Sequence, residues 1–135
     1  MTTLRQSFKW PQGEDLKIQL VYKEGDSATK AAAVSLGSGY AVRMDLVVPR
    51  TTVPLHSINS DTDAEAVLTS GSPNISIHLP RSLTLPGGVL HSKMTATPPV
   101  NSFAYELFLR NKITDTQIKI LMGTITVEAS TTLWL

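Results

Sequence analysis

The chain has 135 residues, a formal net charge of +1 and no cysteine. That length suits one domain able to bury a core without cross-links, and the missing thiols exclude disulfides, thiolate metal sites and cysteine nucleophiles. A near-neutral balance argues against nucleic-acid binding, which needs clustered Lys and Arg. Charged residues make up 17%, below the roughly 25% usual in soluble domains. Two explanations stay open: an economical β-protein, or a chain that spends much of its surface against neighbours.

The leader MTTLRQSFKW has no apolar centre and does not read as a secretion signal. No run approaches the about 18 apolar residues of a membrane-spanning helix, so no membrane partner is expected. Phe8 and Trp10 stand in this polar, Pro-broken leader, which is expected to form an arm over residues 1–14.

From Asp15 to Tyr22, Leu16, Ile18, Leu20 and Tyr22 alternate with Lys17 and Gln19, the period of a half-buried strand. Gln12-Gly13 suits a turn before it. Lys23 to Asp26 reads as a turn and the run to Ala33 as a loop. Gly37-Ser38-Gly39 opens a second strand, Tyr40 to Val48, closed by Pro49, which has no amide hydrogen for a ladder.

Thr52 to Ile58 is a poor strand, placed at an edge by Pro54. Asn59 to Asp63 is a turn cluster, Ala64 to Leu68 a short strand, and Asn74 to Leu79 a clean one with Ile75, Ile77 and Leu79 inward. Residues 80–102 carry Pro86, Gly87, Gly88, Pro98 and Pro99. They read as an inserted loop or arm, with a short strand near Val89 to Met94 as the alternative.

Phe103, Tyr105, Leu107 and Leu109 share one face of the next strand, and Phe108 points the other way, unusual for a solvent face. From Gln117 to Glu128, Ile118, Ile120 and Met122 hold one phase, and Ile125 and Val127 the opposite one. One extra residue near Leu121 to Gly123 reconciles them, which predicts a β-bulge with Gly123 beside it. Leu133, Trp134 and Leu135 follow in a tail over residues 129–135.

Many short strands separated by turns predict an all-β fold, an antiparallel β-sandwich, Ig-like or small barrel-like, of about 7–9 strands. The domain body is expected over residues 15–128.

The chemistry-bearing residues do not assemble into a motif. His56, His78 and His91 are not at ligand spacing, whereas a metal site needs several convergent ligands. Asp61 and Asp63 sit in a turn without an EF-hand pattern. Gly37-Ser38-Gly39 and Ser70-Gly71-Ser72 lack the G-x-S-x-G frame of a nucleophile elbow. Gly87-Gly88 lacks a phosphate-loop lysine, and Glu106 has no nominated carboxylate partner for glycoside hydrolysis. Arg5 and Lys9 around Phe8 are too few for a single-strand platform. No enzyme and no cofactor are expected. The large apolar side chains near the two ends, Phe8, Trp10, Leu133, Trp134 and Leu135, together with Phe108, are the interface candidates. Those near the ends either plug the sandwich of their own subunit or dock on a neighbour.

Three fragments, WPQGEDLKIQLVY (10–22), LGSGYAVRMDL (36–46) and FAYELFL (103–109) with LMGTITV (121–127), occur in this order. The order resembles the N-terminal domain of upper baseplate proteins, small β-domains from tail modules of tailed bacteriophages. The resemblance spans nearly all the chain outside residues 80–101 and departs where Ser35-Leu36 replaces an Asp-Leu pair. It assigns structural roles to Gly13, Gly39, Tyr40, Arg43, Tyr105 and Gly123. It implies a virion structural protein, an adaptor in the tail or baseplate whose partners are other virion proteins and copies of itself. The alternatives are a capsid decoration or head-tail connecting protein, and a carbohydrate- or host-binding module in which Phe108 is the outward aromatic.

Overall fold

The computed structural model describes residues 3–22, 36, 39–69 and 73–135. The loop expected from Lys23 to Ala33, and Gly37-Ser38 and Ser70–Ser72, lie outside them. Among the described residues the chain is all-β, with nine strands in two sheets: β1 (Leu4–Arg5), β2 (Phe8–Pro11), β3 (Leu16–Leu20), β4 (Tyr40–Val47), β5 (His56–Asn59), β6 (Ala66–Leu68), β7 (Ile75–Leu79), β8 (Ser102–Asn111) and β9 (Thr116–Glu128). A short α-helix, α1, spans Val89–Met94, after a single 3-10 turn at Arg81–Leu83.

The large sheet runs β1-β9-β8-β4-β5, with β2 also on β9, and the small sheet runs β3-β7-β6. The two face each other as a sandwich. Val42, Met44 and Leu46 of β4, Phe103, Tyr105, Leu107 and Leu109 of β8, and Ile125 and Val127 of β9 pack in one core with Ile18, Ile75, Ile77 and Leu79 of the small sheet. These are the alternating positions of each strand, since successive side chains on a pleated strand leave by opposite faces.

The antiparallel expectation holds for every ladder except those of β1 and β2, which pair parallel to β9. The arm expected over residues 1–14 is corrected accordingly: Leu4 to Pro11 complete the edge of the large sheet. The cause is Trp10. Its ring is fully buried in the core, and removing that much apolar surface from water outweighs the freedom of a loose leader.

Of the loop or arm expected over residues 80–102, the structure shows an insertion that packs inward. Leu83 and Leu90 are buried, and Met94 and Val100 pack on the same core, so this segment folds onto its own sandwich. The short strand considered at Val89 to Met94 is a helix. It keeps Leu90 inward and leaves Val89 exposed.

The bulge lies in β9, slightly earlier than expected. Leu107 pairs Leu121 and Phe108 pairs Lys119, which leaves Ile120 as the extra residue. Leu121, Ile125 and Val127 are buried after it, and Met122 turns to the outer face, away from the phase of Ile118.

Gly123 serves a different purpose from the bulge. A Cβ there would lie 1.9 Å from the Gln6 carbonyl oxygen. Between β1 and β2 the backbone of Gln6 leans onto β9, donating to the Met122 carbonyl at 2.9 Å.

Candidate interface site

One end of the sandwich gathers three segments that are far apart in sequence: the turn from Pro11 to Glu14, the turn from Arg81 to Leu85, and the tail after β9. The first is closed by the Glu14 amide on the Pro11 carbonyl at 3.2 Å. Gly13 takes φ of +84° there, a conformation that suits glycine. The Trp10 indole nitrogen donates to the Glu14 carbonyl at 2.6 Å, which gives the buried ring its polar partner.

Gln12 ties the three together. Its amide nitrogen donates to the Thr84 carbonyl at 3.0 Å, and its amide oxygen accepts from the Ser130 amide at 3.2 Å. The Thr84 hydroxyl accepts from the Gly13 amide at 2.9 Å. Gln12 and Thr84 are buried, and a buried polar group left unpaired is costly, so these bonds fix the local geometry.

Arg81 adds a clasp. Its Nε donates to the Gly13 carbonyl at 2.8 Å, and its terminal nitrogen donates to the Trp134 carbonyl. The Arg81 amide donates to Asp15 at 2.7 Å, and the other oxygen of that carboxylate meets His78 Nε2 at 3.2 Å. The Arg81 amide, and then His78, hold the Asp15 carboxyl below its ordinary value.

The tail is therefore held by its backbone while its last two side chains face outward. Trp134 is 85% exposed and Leu135 89%. Leu133 is half-buried beside Gly13 and Leu85. Of the interface candidates, then, the tail stays available, and Trp10 is enclosed in its own subunit. Phe8 is half-buried with its ring centroid 5.8 Å from that of Tyr105.

Phe108 lies on the outer face of the large sheet, far from the tail. The Lys119 ammonium sits 5.6 Å from its ring centroid, and Glu106 holds that ammonium at 2.9 Å. Arg43, on the same outer face, pairs with Asp45 at 3.1 Å. Tyr40 is half-buried at the start of β4, and Gly39 accepts from the Lys112 amide at 2.9 Å, joining the start of β4 to the β8–β9 hairpin.

His56 and His91 stand apart from His78, and among the described residues no group of three or more His, Cys, Asp or Glu could hold a metal ion. No described helix is long and apolar enough to cross a membrane. Sequence reasoning missed Gln12 and Arg81. Gln12 had a weak signal, since it adjoins a turn glycine; Arg81 had none, because its partners are backbone carbonyls. Neither the scan of protein-family models nor the search of curated proteins returns a match for this chain.

Proposed function

We propose that this chain is a structural protein of a bacteriophage virion, an adaptor in the tail or baseplate that positions neighbouring subunits. One observation carries the reading: Trp134 and Leu135 are exposed at 85% and 89% on a backbone clasped to the body by Arg81. Large apolar side chains held outward and in place are what a docking anchor needs, because ordering costs are met before binding. The resemblance read from residues 10–22, 36–46, 103–109 and 121–127 supports the same reading. Those fragments supply the end of β2, all of β3, most of β4 and β8 and the second half of β9.

The mechanism is geometric. The sandwich sets distance and angle, and the tail end meets the neighbour. The test is electron cryo-microscopy of the intact parent particle, together with particles carrying Trp134→Ala. Density for this chain around the tail, and its loss or thinning in the variant, is the expected result. Density on the head moves the protein to the decoration or connector class. A particle without the chain overturns the proposal.

A further inference from the structure

The outer face of the large sheet contains a second feature, at the end away from the tail. Ala41 lies opposite Arg110, and Arg43, the next outward residue of β4, lies opposite Phe108. Asn59 of β5 faces Arg43, and Gln117 of β9 faces Arg110. Ala41 ends at its Cβ while these neighbours reach outward, so the face sinks there. The result is a pit of about 130 Å³ floored by Ala41 and walled by Phe108, Arg43, Arg110, Asn59 and Gln117.

Several walls are held in place. Arg43 Nε is on Asp45 at 3.1 Å, Arg110 is on Asp115 at 2.8 Å, and Lys119, held by Glu106, lies over the Phe108 ring. Asn59 is fixed by its own turn, where its side-chain oxygen accepts from the Asp61 amide at 2.9 Å. Pre-positioned walls spare a ligand the cost of ordering them.

We propose that this pit receives one pyranose ring of a saccharide. An aromatic face takes the apolar C–H side of the ring. Planar carboxamide and guanidinium groups around it give paired hydrogen bonds to neighbouring hydroxyls, with carboxamides both donating and accepting. A small concave site with few convergent polar groups is the form that such recognition takes. The pit shares no residue with the tail end, so it stands whether or not Trp134 docks on a neighbour.

The test is a titration of the full chain, followed by amide NMR, with three probes: methyl glycosides of neutral hexoses, free hexoses, and inorganic phosphate. Saturable shifts centred on Ala41, Asn59, Phe108 and Gln117 with a sugar probe are expected. Preference for methyl glycosides assigns the site to a ring within a glycan chain, and preference for free hexoses to a soluble sugar. Phe108→Leu removes the platform, and Ala41→Leu fills the pit from its floor while leaving the ring in place. Each is expected to weaken binding at least tenfold with an unchanged melting temperature. If one of them unfolds the domain, Gln117→Ala and the other variant carry the comparison. Sugar concentrations of about 10 mM and above that produce no saturable shift overturn the proposal, since a millimolar ligand saturates there. So do binding that the folded variants leave unchanged, and a response to phosphate alone.

Discussion

Tyr105 and Gln6 stand 99 positions apart, and the phenol of one donates to the carbonyl of the other at 2.6 Å. The register places Gly123 opposite Tyr105, so the tyrosine lies across a position without a side chain and reaches the leader beyond it. This bond and the Gln6 amide on Met122 pin the point between β1 and β2.

Gly123→Ala puts a carbon where the Gln6 carbonyl now lies. The leader must shift, and a loss of about 1–3 kcal/mol is expected, the usual cost of overpacking a filled site. Urea unfolding measures it. Limited proteolysis within residues 3–11 should rise in parallel, and an unchanged digestion pattern would contradict the close approach.

Burial raises the Tyr105 phenol to about 12 from its ordinary 10.0. The unfolded chain thus releases this proton at lower pH than the folded one. The associated stability is whole below pH 10 and is lost as pH climbs from 10 towards 12. Tyr105→Phe should lose about 1 kcal/mol at neutral pH with the hydrogen bond and show a shallower alkaline decline. Chemical denaturation across alkaline pH tests both points.

Asp15 behaves in the opposite sense. The Arg81 amide, and then His78, favour its ionised form, so its folded value lies below the ordinary 3.8. Stability from this group is present above 3.8 and disappears as pH falls through the lower folded value. Asp15→Asn should flatten the acid limb of the stability curve and leave the alkaline limb unchanged.

The two tryptophans should separate cleanly. Trp10→Ala empties a fully buried site and is expected to cost about 3–5 kcal/mol. Trp134→Ala touches an exposed side chain and is expected to stay within about 0.5 kcal/mol. Thermal and denaturant melts distinguish them, and comparable losses would mean that Trp134 is packed.

Removing the clasp tests the tail directly. Arg81→Ala deletes the donor to the Gly13 and Trp134 carbonyls. Hydrogen exchange across residues 129–135 should accelerate while amides of β8 stay protected. The same protection as in the parent chain would show that Gln12 and Ser130 hold the tail without it.

Most strands were legible because period-two alternation reports a face directly, as at Leu16, Ile18 and Leu20. The phase break in β9 revealed an extra residue and placed it within a position or so. The leader was misread because parallel pairing with a strand more than a hundred positions away leaves no local trace. Whether residues 80–102 fold back or reach out was not legible, because prolines and glycines mark turns whether a segment packs on the core or leaves it. Of the candidate site, the exposed tail tryptophan was nominated. Gln12, Thr84 and Arg81 were not, because their partners are backbone groups of distant turns.

The position of the leader also sets an order of events during synthesis. Phe8 to Pro11 align with Ile125 to Glu128, so the earliest of these residues to leave the ribosome have no strand to lie against until the latest have emerged. At about 5–20 residues per second that interval is on the order of ten seconds. Throughout it the Trp10 ring is without its final enclosure, and the growing chain carries a sticky segment that a chaperone or a second nascent chain can reach. Closing the large sheet along β9 is thus the step that hides it.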